Sequence, residues 1–331
     1  MSQSQPGSMR ERLPGAQSLR RPFAKLTATD RLVLAYLAGL AGVTLARHPH
    51  PLRLVVLMAA LALAILSVAA WGTRSRVARW VHDFFPVVVV PCLFNLSGPV
   101  IAAANPARWD AWLVTVDRAH FGPLVALWFG ALGRPWWLTD AVSLLYVGYY
   151  VIPVAMGVML YRSGRLAEFE HEVFTVVGTF VVSYVCYFLT PASGPRIPLD
   201  AASQVLGGGV VSQGVRWFLD TAELNVLDAL PSGHAALSLV FLGLGWRLFP
   251  SWRWRGSLLF LVSGTIFATV YLSLHYVTDL VAGAALAASM PLVLPPLRRV
   301  LAPSEVPCQR PSSKARQRPS DQPMRSKRPA R

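Results

Sequence analysis

Between Leu52 and Trp71 the chain runs for twenty residues with a single charge, Arg53, at its edge. That is the length and composition a helix needs to cross hydrocarbon, about 20 mainly apolar residues. In lipid only a helix satisfies the backbone of such a segment from within. Seven further runs read the same way, so spans are expected at about 32–46, 53–71, 84–104, 138–160, 173–190, 233–249, 257–273 and 276–297. The first, sixth and seventh are short. The fold class that follows is all-α, a polytopic membrane helix bundle of about eight transmembrane helices. Composition agrees, with 54% hydrophobic and 14% charged residues where a soluble domain carries roughly a quarter charged. Such a chain is too apolar to be disordered over most of its length. Its three cysteines lack metal-ligand spacing, and an odd number of them argues against a disulfide-stapled secreted domain. No signal peptide is expected, because the first apolar run starts beyond residue 30 and lacks a small-x-small cleavage site.

A formal charge of +15 invites a nucleic-acid reading, but the charges are in the wrong places for it. Six of the 31 Lys and Arg residues precede or open the first apolar run and ten follow Leu297. No basic stripe with interleaved aromatics sits on a soluble module, so no nucleic-acid partner is expected. With the N-terminus cytoplasmic, inside segments hold 24 Lys and Arg and outside segments seven. Cytoplasmic loops carry such an excess. The expected topology therefore has both termini cytoplasmic, with basic tails beside anionic lipid.

Two long connections fall outside in that topology. The one from about 105 to 137 carries Trp109, Trp112, Trp128, Trp136 and Trp137, residues that favour the headgroup region, and should contain an interfacial helix. The one from about 191 to 232 holds Gly207, Gly208 and Gly209, read as a flexible loop with no helix pattern after it. Residues 1–30 are expected to be a disordered basic cytoplasmic N-terminus, 31–105 the N-terminal transmembrane helices, 106–298 the functional membrane core, and 299–331 a disordered basic tail. Tyr146, Tyr149, Tyr150, Trp246, Trp252 and Trp254 read as interface anchors.

Ionisable residues at membrane depth are costly and face a cavity or a partner. His275 and Asp279 are spaced i, i+4 and share a helix face. A carboxylate there can hold one imidazole nitrogen, fixing the tautomer and leaving the other nitrogen as base or nucleophile. Pro231-Ser232-Gly233-His234 precedes the sixth run. Ser232 is an N-cap candidate, Gly233 admits a ligand close to the backbone, and the helix start suits an anion such as phosphate. Gly194-Pro195-Arg196 follows the fifth run, and the planar fork of Arg196 matches phosphate oxygens. All three elements fall at the same expected side, and together they suit phosphoryl transfer. Asp117 and Arg118 could assist with a head group, although a helix-start carboxylate is the simpler reading. Two rival readings are a lipid head-group transporter or flippase built on the same polar cluster, and a catalytically inactive membrane scaffold. A transporter would tend to repeat broken helices in both halves, and no internal repeat is evident.

Pro231-Ser232-Gly233-His234 with His275 and Asp279 downstream resembles the type 2 phosphatidic acid phosphatase superfamily over residues 110–290. Against that family's pattern, Leu189 stands where a Lys is expected, and Ala268 and Thr269 where a Ser-Arg pair is expected. With Asp117-Arg118-Ala119-His120-Phe121-Gly122, Leu145-Tyr146 and Tyr271-Leu272-Ser273-Leu274-His275-Tyr276, these departures are similar to the branch containing inositol phosphorylceramide synthases. The resemblance implies an integral membrane lipid phosphatase or phosphotransferase of a bacterial inner membrane, acting on a phospholipid or other amphiphilic phosphate ester at the extracytoplasmic side. His275 would be the nucleophile, passing through a phosphohistidine, with Asp279 orienting it. His234 would be the acid and base, and Arg196, Ser232 and Gly233 would hold the phosphate. The acceptor would be water or a polyol such as inositol. No metal and no cofactor is expected, since the site lacks the carboxylate cluster Mg²⁺ prefers.

Overall fold

A computed structural model describes residues 26–196 and 208–302, the side chain of Arg196 excepted. Among them there is no strand, and they form eleven α-helices and one 3₁₀ turn. In order these are α1 (Ala28–Arg47), α2 (Pro51–Gly72), α3 (Arg76–Phe84), α4 (Pro86–Ala104), α5 (Asp110–Leu132), α6 (Trp136–Arg162), α7 (Leu166–Leu189), α8 (Val210–Ala222), α9 (Gly233–Leu248), α10 (Trp252–Tyr271) and α11 (Val277–Leu301). Each of the eight expected spans is a helix. Six stretches are long and apolar enough to cross a membrane: α1, α2, the joined α3–α4 stretch, α6, α7 and α11. The remaining two are α9, only 16 residues long, and α10, which opens on Trp252-Arg253-Trp254-Arg255. The span count of eight is therefore approximate.

Local chemistry sets many of the helix ends. Thr27 and Asp30 form a reciprocal capping box at α1, so two backbone donors are satisfied together. Phe85 ends α3 and Pro86 opens α4, a helix-start position where a missing N–H costs nothing.

The centre of the bundle is α9. It packs against α6, α7, α10 and α11, and eleven of its sixteen residues are buried, so it needs little lipid-facing apolar surface of its own. Glycines let its neighbours come close, as small residues do between helices in lipid. A Cβ on Gly283 of α11 would lie 2.5 Å from the Ser232 carbonyl oxygen and 3.0 Å from the Ala235 Cβ. Backbone contact of that kind locks the start of α11 to the start of α9.

Two sequence expectations are corrected. The stretch after the glycines is not a loop: α8 begins at Val210, directly after Gly209. Its N-terminus is capped from a distance, because the Asp140 carboxylate of α6 accepts from the N–H groups of Gly209 (2.9 Å), Ser212 (3.0 Å) and Val211 (3.4 Å). No local pattern could announce that cap; Gly207 lies outside the described residues. The second correction concerns the tyrosines. Tyr146 and Tyr149 are interior residues rather than interface anchors, and Tyr150 donates to Glu223 from beside them. Trp246 and Trp252 are exposed as expected. The tails at 1–25 and 303–331 lie outside the described residues.

Candidate active site

The residues singled out by type and spacing meet where the starts of α9 and α11 converge. Ser232 N-caps α9, its Oγ accepting from the Ala235 N–H at 3.2 Å. The Ser232 N–H donates to the Asp279 carbonyl at 3.0 Å. These bonds place His234, in the first turn of α9, against His275, just before α11. The two imidazoles touch, with His234 Nδ1 3.1 Å from His275 Nε2. The other nitrogen of His234, Nε2, lies 2.7 Å from the Tyr146 hydroxyl. Tyr149 stacks on the same ring at 4.3 Å between centroids.

His275 Nδ1 lies 3.4 Å from Asp279 Oδ2, with both side chains fully buried. This is contact distance rather than a formed hydrogen bond, as His275 Nδ1 makes none. Catalytic hydrogen bonds are commonly long before substrate tightens them. Asp279 Oδ2 is held meanwhile by the Tyr276 N–H at 2.9 Å.

The hydrogen-bond network assigns the tautomers, since a neutral imidazole has one donor and one acceptor. A phenol is the natural donor to His234 Nε2, which leaves the proton of His234 on Nδ1, pointing at His275 Nε2. His275 then carries its own proton on Nδ1, toward Asp279. The lone pair of His275 Nε2 therefore rests on the proton of His234. Tyr146 and Tyr149, which sequence reading placed at the interface, belong to this site. Only the Leu145-Tyr146 likeness pointed toward them.

Three turns hold the ring in place. Thr269, where the family pattern expects Arg, uses its carbonyl to accept from Leu274 N–H (2.8 Å) and His275 N–H (3.1 Å). Ser273 between them takes φ of 57°, a left-handed conformation that costs a non-glycine residue energy and is retained where surrounding structure enforces it. Asp117 of α5 accepts from both the N–H (2.8 Å) and the hydroxyl (2.9 Å) of Thr278. It is thus a helix-start carboxylate for α11, the simpler of the two readings. Asp110, two turns earlier on the same face of α5, accepts from Ser193 N–H (2.8 Å) and Gly194 N–H (3.0 Å). Gly194 has φ of 71°, and a Cβ there would meet the Leu274 carbonyl oxygen at 3.0 Å. The 3₁₀ turn Gly194–Arg196 thus lies against the residue preceding His275, although the Arg196 side chain is outside the described residues.

Gly233 is required by the same crowding. A Cβ would stand 2.6 Å from the Tyr187 hydroxyl. Leu189, where a Lys is expected, is exposed and outside the cluster.

Residues 111–292 match the family model described as PAP2 superfamily. The chain belongs to the PAP2 superfamily. The match covers α5 through most of α11, and so includes every residue of the cluster except Asp110. Members of this superfamily are generally phosphatases and phosphotransferases of phosphorylated lipids in membranes. No curated protein and no solved structure matches the chain.

Proposed function

We propose that this PAP2 protein transfers a phosphoryl or phosphodiester group from a membrane lipid through a phosphohistidine at His275. The observation that carries the reading is the 3.1 Å contact of His234 Nδ1 with His275 Nε2. It supports a proton donor and a nucleophilic lone pair on either side of the point where a phosphorus centre would enter. On substrate entry the phosphate separates the rings. His275 Nε2 attacks phosphorus, the phosphorus–oxygen bond to the leaving alkoxide breaks, and His234, which takes up a second proton as the anionic substrate binds, gives its Nδ1 proton to that oxygen and is left neutral. Asp279 stabilises the positive charge that develops on His275. In the second step His234 Nδ1 takes a proton from the acceptor hydroxyl, whose oxygen displaces His275 from phosphorus. Arg196, Ser232 and Gly233 hold the phosphate oxygens, Ser232 through its hydroxyl proton and Gly233 at the N-terminus of α9. Water as acceptor gives a lipid phosphatase and a polyol such as inositol gives a phosphotransferase. The excess of basic residues in the tails and inside segments favours both termini in the cytoplasm and the site facing the opposite leaflet of a bacterial inner membrane.

The test is to incubate the purified protein with phosphorus-labelled phospholipid, quench in alkali, and map the label. Acid-labile label on His275, absent from the membrane-inserted His275→Ala variant, is expected. Full activity of that variant refutes the assignment.

A further inference from the structure

Beside His234 a cavity of about 240 Å³ runs away from the phosphate site. It occupies a fissure between α4 and α6, which both pack on α7 but barely touch one another. Prolines help keep those walls apart: Pro91 inside α4 and Pro153 inside α6 both line the fissure. A proline inside a helix removes a backbone donor and bends the axis. The lining is apolar along α7, from Phe180 through Val177 to Val173.

The inner part of the fissure holds an anomaly. Glu172 is 2% exposed, lines the cavity, and neither carboxyl oxygen has a hydrogen-bond partner among the described residues. A buried polar group without a partner costs roughly 1–3 kcal/mol. Nothing in the bundle accounts for that cost. Gly157 of α6 makes room for it, as a Cβ there would meet Glu172 Oε2 at 3.4 Å.

We propose that this fissure receives a single hydrocarbon chain of the phosphate-bearing amphiphile, and that Glu172 marks where the fitted part of the chain ends. The proposal rests on the phosphoryl-transfer reading for what is attached at the mouth. Tyr149 stacks on His234 and Gly157 lies beside Glu172, so the depth is the rise over eight residues of α6, about 12 Å. An extended chain advances about 1.2 Å per bond, and about ten carbons fill that depth. A longer chain meets the carboxyl and leaves sideways through the gap between α4 and α6 into lipid. The substrate class is thus a single-chain phosphate amphiphile, or one chain of a branched one, gripped over its first ten or so carbons.

The experiment uses decylphosphonate carrying a diazirine at its terminal carbon, with the full-length protein in lipid nanodiscs. Photolysis followed by peptide mapping is expected to place the label on Glu172 or its neighbour Gly157. Val154→Trp, which fills the fissure between Tyr149 and Gly157, should cut that label about tenfold, the scale set by poor fit in an apolar pocket. Release of phosphate from butyl phosphate, too short to reach Val154, should stay at the parent level. Label found elsewhere, no label, or unchanged label in Val154→Trp overturns the proposal. Because the probe does not turn over, labelling at Glu172 without a phosphohistidine on His275 would sink the catalytic reading and leave the chain site standing.

Discussion

Tyr146→Phe isolates the tautomer assignment on which the two-histidine chemistry depends. The variant removes one hydroxyl and keeps the ring that packs on His234 at 5.1 Å between centroids. What is lost is the 2.7 Å hydrogen bond to His234 Nε2. A buried hydrogen bond of this kind contributes about 1 kcal/mol net. Without it, the His234 ring is free to turn its Nδ1 proton away from the leaving group. If the full 1 kcal/mol falls on the protonation step, the rate drops about fivefold. The drop belongs only to substrates that need an acid. Steady-state kcat/KM should therefore fall about fivefold for an alkyl phosphate, a poor leaving group, and hardly at all for a nitrophenyl phosphate, which leaves unaided. In a His234→Ala background the same substitution should have no further effect, as coupled residues behave in a double-mutant cycle. Equal losses on both esters, or the same loss in the His234→Ala background, would refute the assignment.

Gly283→Ala drives a Cβ to within 2.5 Å of the Ser232 carbonyl oxygen; overpacking of this kind costs about 1–3 kcal/mol, and the thermal midpoint in detergent should fall together with activity. A midpoint equal to the parent's would show that α9 and α11 are less tightly locked than described. Asp110→Ala removes two backbone hydrogen bonds from the Gly194 turn. Bonds to a charged group are worth about 1.5–3 kcal/mol each. Affinity for butylphosphonate should weaken about tenfold or more through misplacement of Arg196, and unchanged affinity would detach that turn from the phosphate site.

The helices were legible because lipid imposes one rule on every crossing segment, and the runs from Leu52 to Trp71 or from Trp136 to Arg162 carry that rule in their own composition. His234, His275 and Asp279 were legible for a related reason: ionisable side chains at the edges of such runs have no cheap explanation, and the i, i+4 spacing of His275 and Asp279 fixed a shared face. What escaped was set by tertiary contact. The start of α8 depends on Asp140, seventy residues upstream of Val210. The role of Tyr146 depends on a ring packed against α9 from α6, whereas an isolated tyrosine near a span end looks like any interfacial anchor. Thr269 was visible only as a missing arginine, because its contribution is made by a carbonyl that every residue possesses. The span count was blurred at α9, since a helix wrapped by other helices is freed from the length and composition that lipid demands.

Asp110 and Asp117 stand two turns apart on α5, and each ties down a different arm of the cluster. Their separation acts as a spacer bar whose length is written in residues. One residue added between them would swing one carboxylate about 100° around the helix relative to the other, so only one arm could keep its tether. Descendants of this chain can lengthen or trim its connecting segments elsewhere, but the six residues between those two aspartates are fixed in number by the distance between the two halves of the machinery.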